Sequence, residues 1–330
     1  MAESKKNWVT ASDVARFAKV SRSAVSRTFT PGASVSDKTR KAVEAAAKEL
    51  GYQVNIIARS MNTGTSNFVG LVTSGFDNPF RNKLLSPLVK NLALKGYIPI
   101  LINADEPKQL EPKLRELFSY HVAGIILTSG APPISLVEEY VARKIPVALI
   151  NKRVSLEGTD QICSDNEVGM QLAVNQLLKH KISHIGFIGE GQSFSAQQRY
   201  YFLQAHLKSA NLDVTPVFTS NEGYQAGWEA ASDLLNKNPK LDSLFCATDI
   251  LAIGAIDYFR RNISNKMIPI IGFDDIPLAS ADPYQLTTIQ QNTEALAENT
   301  VRLLVNRIQK FEQPSIHINI PVELIVRETA

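Results

Sequence analysis

Between residues 10 and 50 apolar side chains recur at three- and four-residue spacing and never alternate, which predicts short helices and no strand. Ser12-Asp13 precedes an apolar face of Val14, Ala15, Phe17 and Ala18, and Ser21 opens a second helix carrying Ala24, Val25 and Phe29. Pro31-Gly32 breaks the run. Ser36-Asp37 starts a third helix with Val43, Ala46, Ala47 and Leu50 inward and Gly51 as its C-cap. The first two helices, over 12–18 and 21–29, are separated by Lys19-Val20 alone. That spacing is a helix-turn-helix, whose second helix enters a DNA major groove N-terminus first.

The texture changes after residue 66. Apolar runs at 68–73, 97–103, 122–128 and 146–150 read as buried strands, and a second set follows at 184–188, 215–218, 243–247 and 268–273. Helical stretches such as 82–95 and 168–179 lie between them. Alternating buried strands and helices predict doubly wound parallel sheets, and two such sets predict two α/β lobes with a ligand cleft beyond the carboxyl ends of the strands.

The 330 residues, 44% apolar and 20% charged, are ordinary for globular protein and too many for one core. No apolar run reaches the roughly 18 residues of a membrane span, and residues 1–17 hold no leader-like apolar stretch, which predicts a cytoplasmic protein. Cys163 and Cys246 sit in apolar runs and read as two small buried hydrophobes in a reducing compartment. Charge is more informative. Residues 1–66 hold eleven Lys and Arg against five Asp and Glu, a net +6, so the remainder carries −3 within a total of +3. A basic head on a slightly acidic body suits a polyanion-binding module, although basic faces are also simply solvated surface.

On the second helix Arg22 and Ser23 are the exposed early positions, with Ser26 and Arg27 one turn later. Each arginine presents a fork to guanine O6 and N7, worth about 1–3 kcal/mol of base discrimination. Thr10, Ser12, Ser21, Ser36 and Thr39 are hydroxyls at helix starts, suited to phosphate oxygens or to capping, and one hydroxyl can do both.

Here the chain closely resembles the lactose/galactose repressor (LacI/GalR) family of bacterial transcription regulators. The resemblance runs through residues 10–27 (TASDVARFAKVSRSAVSR), 35–40 (VSDKTR), 49–52 (ELGY), Asn55 and 58–61. It continues through 77–80 (DNPF), 122–127, 164–166 (SDN), Gly189, Ser195, Arg199, 245–254, 271–275 and 286–289, so it spans essentially the whole chain. It implies a helix-turn-helix DNA-binding domain over 8–53, a hinge and linker over 54–66, and a two-lobed periplasmic-binding-protein-like effector domain over 67–330. The N-lobe would take about 67–163 and 293–320, and the C-lobe about 164–291 and 321–330. Arg22, Ser23, Arg27 and Ala11 become base readers; Thr10, Ser12, Ser21, Ser26, Ser36 and Thr39 become phosphate contacts. Asn55, Ala58, Arg59 and Met61 would order as a hinge helix on cognate DNA, with Met61 wedged into the minor groove, or Met61 is a linker residue packing on the body. The family's usual wedge is Leu, and its usual proline before the hinge is Val54 here.

The same resemblance places an effector pocket at Asn78, Phe80, Thr128, Asn151, Ser195, Arg199, Glu222, Thr248, Asp249, Asp274 and Gln291. Phe80 would supply a wall, Arg199 a bidentate donor, and Asp274 an acceptor for sugar hydroxyls; alternatively an Arg199–Asp274 pair ties the lobes. Glu222 stands where relatives often have a stacking aromatic, and Phe202 stands at a usual glycine, adding bulk that would narrow the pocket or shift its helix.

Enzyme readings fail on motifs. After the strand at 184–188, Gly189-Glu-Gly191 is followed by Phe194 where a dinucleotide fingerprint needs glycine. There is no phosphate loop, no HExxH and no nucleophile elbow, and His180 with His184 has no third metal ligand nearby. A periplasmic sugar-binding protein would share the body but would have no use for Arg22 and Arg27 on a helix-turn-helix. The expectation is a homodimeric repressor without cofactor. It would bind palindromic double-stranded operator DNA, bury N-lobe helix faces including part of 82–95, and respond to a sugar, sugar acid or sugar phosphate. No leucine heptads follow residue 326, so no tetrameric coiled coil is expected.

Overall fold

The computed structural model describes residues 8–30, 32–54, 66–73, 76, 78–103, 107–128, 133–152, 154, 156–263 and 268–330. The chain forms two compact units, Met1–Ser66 and Asn67–Ala330.

In the first unit α1 (Ala11–Phe17), α2 (Arg22–Thr28) and α3 (Asp37–Leu50) surround a small core of Val14, Ala15, Val25, Val43, Ala46 and Ala47. Local chemistry sets each start. Thr10 caps α1 in a reciprocal box with Asp13, Ser21 caps α2 and Ser36 caps α3. Gly51 ends α3 in the left-handed region at φ 68°, where a Cβ would be strained. Lys19, at φ 54°, makes the turn between α1 and α2. Phe17 is not inward as the pattern predicts: it is 49% exposed. On a helix it lies about 60° to one side of Val14, whereas Ala11, Ala15 and Ala18 lie on the other side, facing α2 and α3. Phe29 falls outside α2 as its C-cap and packs on Tyr52, with ring centroids 5.7 Å apart.

The second unit holds two six-stranded sheets. The first lobe is built on β1 (Phe68–Thr73), β2 (Ile98–Asn103), β3 (Gly124–Leu127), β4 (Val147–Ile150), β5 (Thr159–Ser164) and β11 (His317–Ile320), in the order β11-β5-β4-β3-β1-β2, all parallel. The second lobe uses β6 (Ile185–Glu190), β7 (Val214–Thr219), β8 (Ser243–Cys246), β9 (Ile270–Asp274), β10 (Thr287–Gln291) and β12 (Val322–Ile325), in the order β12-β10-β9-β8-β6-β7. Only the β10–β12 pairing of this sheet is antiparallel. Strands such as β3, β4, β8 and β9 are buried along their length, as parallel strands covered on both faces must be. The covering helices are α4 (Pro79–Leu94), α5 (Pro107–Ser119), α6 (Ile134–Ala142) and α11 (Thr293–Gln309) in the first lobe. In the second they are α7 (Asn166–Leu177), α8 (Phe194–Ser209), α9 (Tyr224–Lys237) and α10 (Asp249–Asn262). The chain passes from one sheet to the other at Asp165, Asn292 and Pro321.

Four strands, β5, β10, β11 and β12, lie outside the apolar runs of the sequence. The first two carry polar side chains that are buried because distant partners satisfy them. Asp160 on β5 receives Arg307 of α11 at 2.6 and 2.7 Å, with both side chains essentially inaccessible. Thr288 on β10 donates to Asp249 at 2.5 Å.

Helices α9 and α10 cross in close contact at Gly227 and Gly254. A Cβ on Gly254 would stand 2.2 Å from the Tyr224 carbonyl oxygen and 2.8 Å from the Trp228 amide nitrogen, both backbone atoms. Gly254→Ala is therefore expected to destabilise the body by about 1–3 kcal/mol through overpacking. Chemical denaturation of wild type and variant measures this, and an unchanged midpoint would mean that the helices separate without penalty.

Candidate DNA-reading head and inter-lobe site

Helix α2 presents Arg22, Ser23, Ser26 and Arg27 to solvent and turns Val25 and Thr28 into the core. The sequence-predicted base readers therefore share one exposed face, apart from Ala11, which is half-buried at the start of α1. Arg27 leans back along the helix, its Nε donating to the Ser23 carbonyl at 3.4 Å. The Ser21 and Ser23 hydroxyls are 2.8 Å apart, and those of Ser36 and Thr39 are 2.9 Å apart. Thr10, Ser21 and Ser36 are committed as caps yet remain exposed, whereas Ser12 and Ser26 have exposed side chains away from the caps. Tyr52, which the sequence reading leaves without a role, lies near Arg22: burial pushes its phenol up and the Arg22 charge opposes this. Arg40 is structural, donating to the Thr28 carbonyl at the end of α2 at 3.0 Å. The hinge candidates Asn55, Ala58, Arg59 and Met61 lie outside the described residues.

In the body, ten of the eleven predicted pocket residues follow or end strands at their carboxyl ends, and Arg199 projects from the second turn of α8. Asn78 caps α4 after β1, accepting from the Phe80 and Arg81 amides at 3.0 and 3.2 Å. Asn151 follows β4, Ser195 and Arg199 lie on α8 after β6, and Asp274 and Gln291 end β9 and β10. A chain of hydrogen bonds joins the lobes. The Asn151 amide donates to Gln291 Oε1 at 2.9 Å, Ser164 donates to the same oxygen at 2.5 Å, and Gln291 Nε2 donates to Asp274 Oδ1 at 2.6 Å. Ser195 Oγ donates to the Asn151 carbonyl at 3.2 Å. Asn151, Asp274 and Asp275 have φ of 53°, 124° and 52°. Non-glycine residues hold such backbone only at a cost of about 1–3 kcal/mol each, and they gather at functional sites.

Arg199 is 3% exposed. Its Nε donates to Asn166 Oδ1 at 2.9 Å, its Nη1 to the Ala247 carbonyl at 2.5 Å, and its guanidinium lies 3.4 Å from the Phe273 ring centroid. Nη2 donates to no partner among the described residues. Arg199 and Asp274 belong to the same lobe and form no ion pair within 4.0 Å, so they do not tie the lobes. Burial raises the Asp274 carboxyl well above the usual carboxylate range, against the nearby Arg199 charge. A carboxyl whose neutral form burial favours can, when protonated, both donate to and accept from a hydroxyl.

Several predicted contacts are turned elsewhere. Asp249 is fully inaccessible, with Oδ1 accepting from Thr288 and Oδ2 from the Ile276 amide at 2.9 Å; burial pushes it up to about 6 against those bonds. Thr248 caps α10 with its hydroxyl and is 6% exposed. Phe80 is buried in an apolar cluster with Leu84 and Leu88, which leaves little ring for a ligand wall. Thr128 donates to the Val72 carbonyl at 3.2 Å. Phe202 packs against the apolar cluster of the second lobe and edge-on to Tyr201.

Glu222 bridges the lobes, its Oε2 accepting from Arg81 Nη2 at 2.9 Å and Asn78 Nδ2 at 3.2 Å. Arg81, Lys152 and Glu190 complete this charged group, and none of the three was singled out from sequence. Burial and the Arg81 charge push the Lys152 ammonium down to about 8; burial and Glu222 push Glu190 up. Among the described residues no group of three His, Cys, Asp or Glu could hold a metal, and no helix is long and apolar enough to cross a membrane.

Comparison with known proteins fits both halves. Residues 10–55 match the model for bacterial regulatory proteins of the lacI family, and residues 174–330 match a periplasmic binding protein-like domain. The ribose operon repressor of Halalkalibacterium halodurans is 33% identical over 326 residues, 96% of each chain. The chain belongs to the LacI family of bacterial regulatory proteins. It is a DNA-binding transcription regulator and not an enzyme. A lac repressor dimer bound to operator and the anti-inducer ONPF shares this LacI-family fold, with a TM-score of 0.85 at 23% identity over 98% of this chain and 99% of that one. A LacI family regulator from Enterococcus faecium with bound ribose aligns with a TM-score of 0.70 at 23% identity, over 79% of this chain and 98% of that one.

Proposed function

We propose that the protein is a homodimeric repressor that reads a palindromic operator through α2 and is controlled by a sugar or sugar derivative held between the lobes of its body. The observation that carries the ligand half is the gathering of Asn151, Ser195, Asp274 and Gln291 beyond the strand ends, with Arg199 on the following helix holding a donor that has no partner among the described residues, and strained backbone at Asn151 and Asp274. Polar groups that both donate and accept suit a polyhydroxylated ligand better than an apolar one. The ribose operon repressor among the relatives, and the ribose held by a protein of the same fold, favour a pentose-sized molecule. One head covers one half-site, so a two-fold dimer matches a palindrome. The head is taken as 8–53, the linker as 54–66 and the body as 67–330.

Selection from a random duplex library tests the DNA half; enrichment of a single asymmetric half-site would overturn the dimeric reading. In the selected operator, Arg22→Ala is expected to relax preference at one base pair per half-site by about 1–3 kcal/mol while leaving ligand binding intact. Unchanged preference in a base-by-base substitution series would remove Arg22 from base reading. For the ligand half, a thermal-shift panel of sugars, sugar acids, sugar phosphates, nucleosides and purines suffices. A ligand at 100 times its Kd adds roughly 2.7 kcal/mol, and operator titration with any hit then gives the sign of regulation.

A further inference from the structure

We propose that the Glu222 carboxylate occupies an anion subsite between the lobes and stands in for a carboxylate or phosphate on the effector, which displaces it. The proposal rests on the reading that the inter-lobe site holds the effector. Glu222 comes from the loop after β7 in the second lobe, but its direct partners, Arg81 and Asn78, belong to the first. Lys152 of the first lobe and Arg199 of the second lie within electrostatic range of the same carboxylate. Arg81 thus contacts the Glu222 carboxylate directly, and the Lys152 and Arg199 charges act on it from farther off.

Two of those cations have donor capacity in reserve. The Lys152 ammonium donates no hydrogen bond and forms no ion pair within 4.0 Å among the described residues, and Arg199 has its unused Nη2. Burial raises Asp274, Asp249 and Glu190, the other described acids that act on Arg199 or Lys152, so each favours its charged form less than an exposed carboxylate does. A neutral sugar would offer this group only hydroxyl dipoles, whereas a carboxylate or phosphate makes shorter, charge-assisted bonds and can bridge two or three donors at once. The ion pair is reachable: its side chains retain 22% and 16% exposure, unlike the sealed Arg307–Asp160 pair. An internal carboxylate from the second lobe, held by two residues of the first, links the lobes. Only a group that binds the cations better than Glu222 can then shift the balance between bridged and opened lobes.

The test uses the full chain, wild type and Glu222→Gln, with inorganic phosphate, ribose 5-phosphate, gluconate and ribose as probes in isothermal titration calorimetry. Glutamine keeps the side-chain shape and removes the competing charge. Phosphate and ribose 5-phosphate are expected to bind Glu222→Gln at least tenfold more tightly than wild type, with ribose changed less than threefold. Adding Lys152→Met or Arg81→Met to Glu222→Gln is expected to reverse most of that gain, and melting curves check that each variant folds. Equal affinities in wild type and Glu222→Gln, or no anion binding to either, overturn the proposal. A gain with phosphate while no anionic sugar alters operator affinity of the wild type would support the anion subsite and defeat the effector reading on which its role rests.

Discussion

Arg307→Met is expected to destabilise the body by about 3–5 kcal/mol, because it removes one partner of a buried ion pair and leaves the other charged. The Arg307 guanidinium meets both oxygens of Asp160 and also donates to the carbonyls of Phe311, Gln313 and Pro314 at 3.2, 2.7 and 2.8 Å. With arginine gone, Asp160 retains, among the described residues, only the Ile316 amide as a donor, at 2.9 Å, and three carbonyls of the run between α11 and β11 lose a donor. For a domain of this size each kcal/mol moves the melting temperature by about 2–4 °C, so a drop on the order of 10 °C is expected in a circular dichroism melt. Asp160→Leu combined with Arg307→Met is expected to recover part of the loss, since an apolar pair carries no desolvation cost for charge. A single-variant loss below about 1 kcal/mol would place this pair energetically with exposed ones.

Arg199→Ala is expected to abolish the effector response while operator affinity without ligand stays within about threefold of wild type. The effect on ligand binding should be large, because hydrogen bonds to a charged group are worth about 1.5–3 kcal/mol, or roughly 10- to 150-fold in Kd. The same substitution leaves Asn166 Oδ1 and the Ala247 carbonyl without their donor and removes the cation from the Phe273 ring. Arg199→Lys separates these effects: it restores charge without the planar fork, so stability should recover further than ligand affinity. Operator titrations with and without ligand decide the matter, and a normal response in Arg199→Ala would take Arg199 out of the effector site.

What could be read from sequence follows the distance over which each feature is determined. Thr10, Ser21, Ser36 and Gly51 act on backbone within a few residues, so the three helices of the head were legible with boundaries off by a residue or so. Phe17 misled because one apolar residue at the edge of a short helix face does not fix which way that face turns. The strands of continuous apolar composition announced themselves. The β5 strand did not, because burying Asp160 makes sense only once Arg307, 147 positions away, is seen beside it. The site divides in the same way. Position at the end of a strand was visible, but orientation was not: Asp249 and Thr248 sit at the correct edge and point into the fold. Arg81 escaped notice because its partner Glu222 is 141 residues distant, and a lone arginine after a helix cap reads as surface.

The three passages between sheets at Asp165, Asn292 and Pro321 bear on how the protein is made. The first sheet cannot be completed from the first half of the chain, because its covering helix α11 and edge strand β11 lie at 293–320, after ten strands have been synthesised. The second sheet awaits β12 at 322–325. The head is complete within Met1–Ser66, so it is able to fold early in synthesis, whereas both lobes close together and late. A message truncated after residue 291 would therefore yield a finished head followed by two unfinished lobes, with the apolar surfaces meant for α11 left uncovered.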